Sequence, residues 1–435
     1  MAAPVMPSAA STMTTAAAPR SASDLSLRLA ALHFTASTLF LLAGSAGLLW
    51  IAPLLAGGLF PERGVAAVTH LFTLGWITTT ILGALYQLLP VALGAPVKWE
   101  RLGHASIWTF APGIALFVAG VATGQVVLHH AGIALVTTGI VIALVNFASS
   151  LRRATARDTT WWGIAIALGF LASTLVLGVV LLHNIHTGFL GAARLRVLGV
   201  HLHVAIGGFV LVLMIGVSQR LLPMFLLAHG VSDAWARRAL VVLPLGVATL
   251  ATGLATAHPG AVSAGAVLMA AGVAFYATQV RALFRARVRR KVDPGMRFVA
   301  TSFAFVAAAV VLGLVVAFTG AAAHPRIATA YVIAAIPGAV GLFLTGHAYK
   351  VIPMLAWTAH YRGRMGRGAV PTVADTWSAR WALAQLALMA LGTTIMGAGT
   401  LAGHAHCVRM GAALFTAGTL IFAAQLWRVA HGPRT

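Results

Sequence analysis

The stretch His201 to Pro223, HLHVAIGGFVLVLMIGVSQRLLP, is an apolar run of helical length with two histidines at one end and Gln219, Arg220 and Pro223 at the other. Counted from His203, glycines fall at plus 5 (Gly208) and plus 13 (Gly216) and a proline at plus 20 (Pro223). Counted from His70, they fall at plus 5 (Gly75), plus 13 (Gly83) and plus 20 (Pro90). A third copy of the far end, GHAYKVIPM from Gly346 to Met354, sets Gly346 seven residues before Pro353, as Gly216 is to Pro223 and Gly83 to Pro90. The three prolines lie 133 and 130 residues apart, a period that predicts three copies of one unit.

Outside these stretches the composition sets the class. A chain of 435 residues that is 60% hydrophobic and 8% charged has more apolar surface than a water-soluble core can hide. The expectation is an all-α, polytopic membrane protein. Runs long enough to span a bilayer fall near 29–55, 65–92, 104–124, 127–150, 160–183, 197–227, 238–257, 260–282, 298–322, 328–356, 378–402 and 405–428. That predicts twelve helices, four per repeat, in one transmembrane domain over 29–435. Residues 1–28, rich in Ala, Ser, Thr and Pro, lack the bulk to bury a core and are expected to form a disordered cytoplasmic tail.

The formal charge of +22 would point to nucleic acid in a soluble chain, but here the basic residues lie between apolar runs and read as topology signals, so the expected partner is the lipid bilayer. Lys98 and Arg101, then Arg152, Arg153 and Arg157, then Arg237 and Arg238, then the run Arg281 to Arg297, then Arg362, Arg364 and Arg367 all fall on one side. That side is the cytoplasm by the positive-inside rule, and both termini share it. The opposite loops hold only Arg63, Arg194, Arg196, Arg326 and Arg409. The second, sixth and tenth spans then enter from outside. Twenty residues of helix cover about 30 Å, one hydrocarbon thickness, so His70 and His203 lie at the outer level and the prolines at the cytoplasmic level.

This topology puts eleven of the seventeen histidines near the outer surface. His258, His324, His404 and His406, in short loops, read as interfacial side chains, whereas His129, His130, His183 and His186 are open between solvation and metal chelation. His70 and His203 sit inside apolar helices at the same place in a repeated frame, while all seven acids lie in the tail or the loops. A buried imidazole without a partner is costly, and a metal is one way to satisfy it. The frame glycines remove bulk where a flat ligand or a neighbouring helix must approach. His201 is turned about 200° around the helix from His203 and is placed for a second site. Gln87, Arg220 and Lys350, each three residues before a repeat proline, read as cations and an amide snorkelling to the headgroups. The lone cysteine, Cys407, excludes an internal disulfide and any cysteine-based metal centre.

Twelve helices in three groups of four, with histidines entering from outside on the second and sixth, resemble the main subunit of the haem-copper oxidase superfamily and its NnrS-like relatives. The segment LLPVALGAPVKWERLGHASIWTFAP from Leu88 to Pro112 is similar to the oxidases' stretch after their second helix, and His201-Leu202-His203 is similar to their His-x-His and to that of NnrS. The resemblance implies that His70 is an axial ligand of a haem. It also marks departures: Gly207 stands where oxidases carry a tyrosine four residues after a copper-binding histidine, the seventh span has no internal histidine, and Ile333 fills the outer position of the tenth.

The resulting expectation is a membrane haem protein in a bacterial-type cell membrane. It would hold a b-type haem near the outer surface by His70 and His203, with His201 beside it as a further metal or cofactor residue and Arg194 and Arg196 placed to pair with propionates. Copper is the second metal the donor set allows. The expected role is redox or diatomic-gas chemistry with oxygen or nitric oxide, fed by an electron donor or a second membrane redox subunit. The alternative class is a secondary transporter without cofactor, whose folds also repeat internally.

Overall fold

The computed structural model describes residues 22–288, 290–365 and 369–431. Twelve helices are long and apolar enough to cross a bilayer, as the apolar runs predict. They are α1 (Ala22–Ala56), α2 (Arg63–Leu93), α3 (Glu100–Thr123), α4 (Val126–Leu151), α5 (Thr159–Thr187), α6 (Gly191–Leu226), α7 (Ala234–Ala255), α8 (Pro259–Arg285), α9 (Pro294–Thr319), α10 (Pro325–Arg364), α11 (Ala379–Ala402) and α12 (Ala405–His431). The tail expected over 1–28 lies outside the described residues up to position 21, and the first helix starts at Ala22.

The three repeats fold alike. In each, the first helix packs on the second, the second on the third, and the third pairs with the fourth: α1, α2, α3 and α4; α5, α6, α7 and α8; α9, α10, α11 and α12. The fourth helix of each unit meets the first of the next, α4 on α5, α8 on α9 and α12 on α1, so the units close into a ring. The helices that carry the sequence frame are the inner ones. α2, α6 and α10 are 67%, 61% and 72% buried, and no other span exceeds 44%.

Each inner helix also breaks its α-helical hydrogen bonding at the same place. π-Helical turns run over Leu71–Thr78 in α2, Val204–Leu211 in α6 and Ala334–Val340 in α10. The first two start directly after His70 and His203, and the third directly after Ile333, so the device persists where the histidine does not. A π turn holds an extra residue and shifts the face shared by the residues on either side of it; such turns are frequent at functional sites.

The frame glycines serve the packing of each inner helix on the one before it. A Cβ at Gly75 would come within 2.6 Å of Phe40, one at Gly208 within 2.4 Å of Phe170, and one at Gly338 within 2.7 Å of Phe305. Further along, a Cβ at Gly83 would lie 2.5 Å from His33, one at Gly216 2.8 Å from Gly163, and one at Gly346 2.5 Å from the Gly295 carbonyl oxygen. Of the two occupants the sequence allowed, a flat ligand or a helix, these glycines admit the helix.

Two further devices, an ion pair in two units and an amide clamp in all three, hold the ends that carry the repeat prolines. Arg220 pairs with Asp158 at 2.5 Å and Lys350 with Asp293 at 2.7 Å. Each aspartate caps the first turn of the preceding helix, accepting from Trp161 N and Met296 N. The reading of these two cations as snorkelling side chains is therefore corrected: the acids that the sequence assigned to loops lie at helix starts, within reach of the next helix. A buried amide on the fourth helix of each unit also clamps the backbone 47 residues earlier, at the start of the third. Asn146 holds Trp99 O at 2.9 Å, Gln279 holds Ser232 O at 3.0 Å, and Gln425 holds Ser378 O at 2.7 Å.

Candidate functional site

The N-terminal parts of α2 and α6 carry the candidate ligands. His70 closes the last α-helical turn before its π segment, and its Nδ1 lies 2.7 Å from Ala66 O. His203 does the same in α6, its Nδ1 2.8 Å from Gly199 O. Tied this way, each ring donates through Nδ1 and turns Nε2 outward as an acceptor, the arrangement that orients a ligating histidine. The bond alone is not diagnostic, because His33, His130, His347, His360 and His431 make it too. What sets His70 and His203 apart is the π turn that follows each.

His203 faces α10. Its ring stacks on Tyr331 with centroids 6.0 Å apart, and Nε2 lies 3.5 Å from the tyrosine hydroxyl, too long for a strong hydrogen bond. His201 faces the other way, against α5, where a Cβ on Gly178 would lie 3.5 Å from its ring. Its Nδ1 is buried without a hydrogen-bond partner. The opposed facing of His201 and His203 follows from their two-residue step. The ring contacts give His70 to Phe117 and His203 to Tyr331.

Arg196, one turn before these histidines, has a buried Nε without a partner, while Arg194 is exposed and its guanidinium reaches only Pro61 O at 3.4 Å. His70 continues into a chain of rings: Phe117 at 5.0 Å, then His129 at 5.4 Å, His186 at 5.3 Å and His130 at 4.8 Å. His129 is 2% exposed and its Nε2 has no partner, so it is not a solvated loop side chain, whereas His130 and His186 are exposed. His258 accepts from Ala261 N at 3.1 Å and caps α8.

The donor set suits a haem. Among the described residues, no group of three or more His, Cys, Asp or Glu converges to hold a metal ion. A haem brings its own four nitrogens and needs only one or two imidazoles from the protein. Outward-turned Nε2 atoms on His70 and His203, the unpartnered Nδ1 of His201 and the unpaired Arg196 supply those and a cation for a propionate. The frame glycines do not contribute a cradle.

Sequence reasoning missed Tyr331 and the amide clamps. Tyr331 lies 22 residues before Pro353, the place that His201 holds before Pro223, so the repeat register contained the signal.

The chain matches no family model. No curated protein matches it either. A solved structure is similar over almost the whole chain: a haem-copper terminal oxidase, determined by cryo-EM as a dimer, aligns with a TM-score of 0.66 at 12% identity, covering 96% of this chain and 85% of that one. The fold is that of a haem-copper oxidase subunit I, a twelve-helix membrane bundle of three four-helix units.

Proposed function

We propose that the chain is an integral-membrane haem protein with a redox or diatomic-gas role, holding a b-type haem near the outer surface between α2 and α6. The observation that carries this reading is the repeated histidine: His70 and His203 each end an α-helical turn immediately before a π segment, on a fold shared with a haem-copper terminal oxidase. When bound, the haem supplies a one-electron couple and, with an axial position open, a place for oxygen or nitric oxide.

The chain's own residues then divide the work. His70 and His203 would hold the haem iron through Nε2, and their carbonyl bonds to Ala66 and Gly199 fix the tautomer that can ligate. Arg196 and Arg194 pair with the propionates, which would satisfy the unpartnered Nε of Arg196. Tyr331 backs the His203 ring and limits its rotation. His201 remains as the donor for a second site, copper included. One observation favours a second assignment, His201 in place of His203: the His203 ring is already stacked on Tyr331 of α10, whereas the buried Nδ1 of His201 has no partner. An electron donor or a second redox subunit completes the scheme, in a cell membrane with both termini cytoplasmic.

Alanine replacements test the ligands one at a time. With His70 and His203 as the axial pair, His70→Ala and His203→Ala each convert a six-coordinate low-spin spectrum to high-spin or abolish the haem, and His201→Ala leaves axial ligation intact. If His201→Ala and not His203→Ala removes the low-spin signal, the ligand is reassigned to His201. A purified protein with no Soret band sinks the haem reading and restores the transporter class.

A further inference from the structure

At the end of the bundle that carries the basic loops, the α8–α9 connection, the start of α9 and α11 border an open groove of ≈ 660 Å³. Its rim holds Arg287, Arg290, Lys291 and Arg297, and its floor is apolar, formed by Phe284, Leu383 and Leu386 among others. No carboxylate lines it. The nearest acid in sequence, Asp293, is committed to Lys350 at 2.7 Å and to the first turn of α9. Among the described residues, none of the four rim cations takes part in an ion pair.

Two of the cations are held in place. Arg287 donates to Phe284 O at 2.7 Å and Arg297 to Val292 O at 3.1 Å, which leaves the rest of each guanidinium free over the groove. Basic residues that only set topology need no concavity and no apolar floor. Four cations, two of them tethered, above an apolar floor at the ends of spans that sit in a bilayer form a two-part receptor. Guanidinium groups take a phosphate oxygen pair, and the apolar floor takes hydrocarbon.

The geometry points to a specific site for an anionic phospholipid, its phosphate held by Arg287, Arg290, Lys291 and Arg297 and its acyl chains lying over Phe284, Leu383 and Leu386. This site is independent of the haem, being formed by helices of the second and third units at the opposite end of the bundle from His70 and His203. Its contents follow from charge and depth. A zwitterionic lipid brings a cation of its own against the rim, and a free phosphate leaves the apolar floor wet.

The test is native mass spectrometry of the purified, delipidated full chain titrated with dioleoyl phosphatidylglycerol, dioleoyl phosphatidylcholine or inorganic phosphate. The expected result is one retained phosphatidylglycerol that phosphatidylcholine does not replace and that millimolar phosphate does not displace. The triple variant Arg287→Ala/Arg290→Ala/Lys291→Ala should weaken that binding by about a hundredfold. A second variant, Leu383→Trp, fills the floor without touching the charge and should also lose the lipid. The control Arg362→Ala/Arg364→Ala, at the same end but off the groove, should retain it, and thermal unfolding confirms that each variant is folded.

Equal retention of both lipids overturns the proposal, as does displacement by phosphate, which would make the groove a site for the free anion. Loss in the control to the same degree overturns it too, because attraction would then be diffuse. If the triple variant does not fold, Leu383→Trp decides alone: retained lipid refutes the site.

Discussion

Gly208 shows how a single residue position can be read two ways until its neighbour is known. Its place beside His203 suited a cofactor contact, but a Cβ there would lie 2.4 Å from Phe170. The π turn between His203 and the rest of α6 is part of the reason, since α-helical face counting does not carry across it. Gly208→Leu should therefore destabilise the α5–α6 contact by about 1–3 kcal/mol, seen as a lowered unfolding temperature in detergent. Phe170→Ala in the same chain should recover part of the loss, because residues in contact do not act additively. Strict additivity of the two changes would place Gly208 against something other than Phe170.

At the scale of elements, the amide clamps give a graded expectation. Asn146 makes two hydrogen bonds to Trp99, through N at 3.3 Å and O at 2.9 Å, and Gln425 makes two to Ser378, at 3.3 and 2.7 Å. Gln279 makes one, to Ser232 O, and its Oε1 is buried without a partner. Replacing an amide by leucine strands the backbone groups it held, at about 1–3 kcal/mol per buried group. Asn146→Leu and Gln425→Leu should then cost more than Gln279→Leu, where one liability is removed along with one bond. Unfolding temperatures of the three variants in one detergent check the order, and a Gln279 variant as damaged as the other two would contradict it.

For the whole molecule, the orientation rests on the asymmetry of basic residues between the two sets of loops. Cys407, partly exposed at the end where α12 starts, must first be replaced, for it would report from the same face as the outer loops. In a Cys407→Ser background, cysteines placed in the 281–297 loop should be shielded from an impermeant thiol reagent added to intact cells, and cysteines at 188–192 should react. The reverse pattern would invert the depth of every histidine and put the proposed lipid site in the other leaflet.

The class, the twelve spans and the threefold plan were legible in the chain because they depend on local quantities: the length of apolar runs, the charge of the connections and the period of a glycine-proline frame. Four things needed the tertiary structure. The π turns after His70, His203 and Ile333 have no residue signature that distinguishes them from α-helix, since LFTLGWIT, VAIGGFVL and AAIPGAV share only their central glycine. The neighbours of the frame glycines lie on the preceding helix, Phe40, Phe170 and Phe305 for Gly75, Gly208 and Gly338, and His33, Gly163 and Gly295 for Gly83, Gly216 and Gly346. The pairs Arg220–Asp158 and Lys350–Asp293 join residues whose loops and helices look unrelated when read in order. The choice of neighbour for each histidine, His201 on the α5 side and His203 on Tyr331, was decided by how three inner helices pack, which no periodicity along one helix encodes.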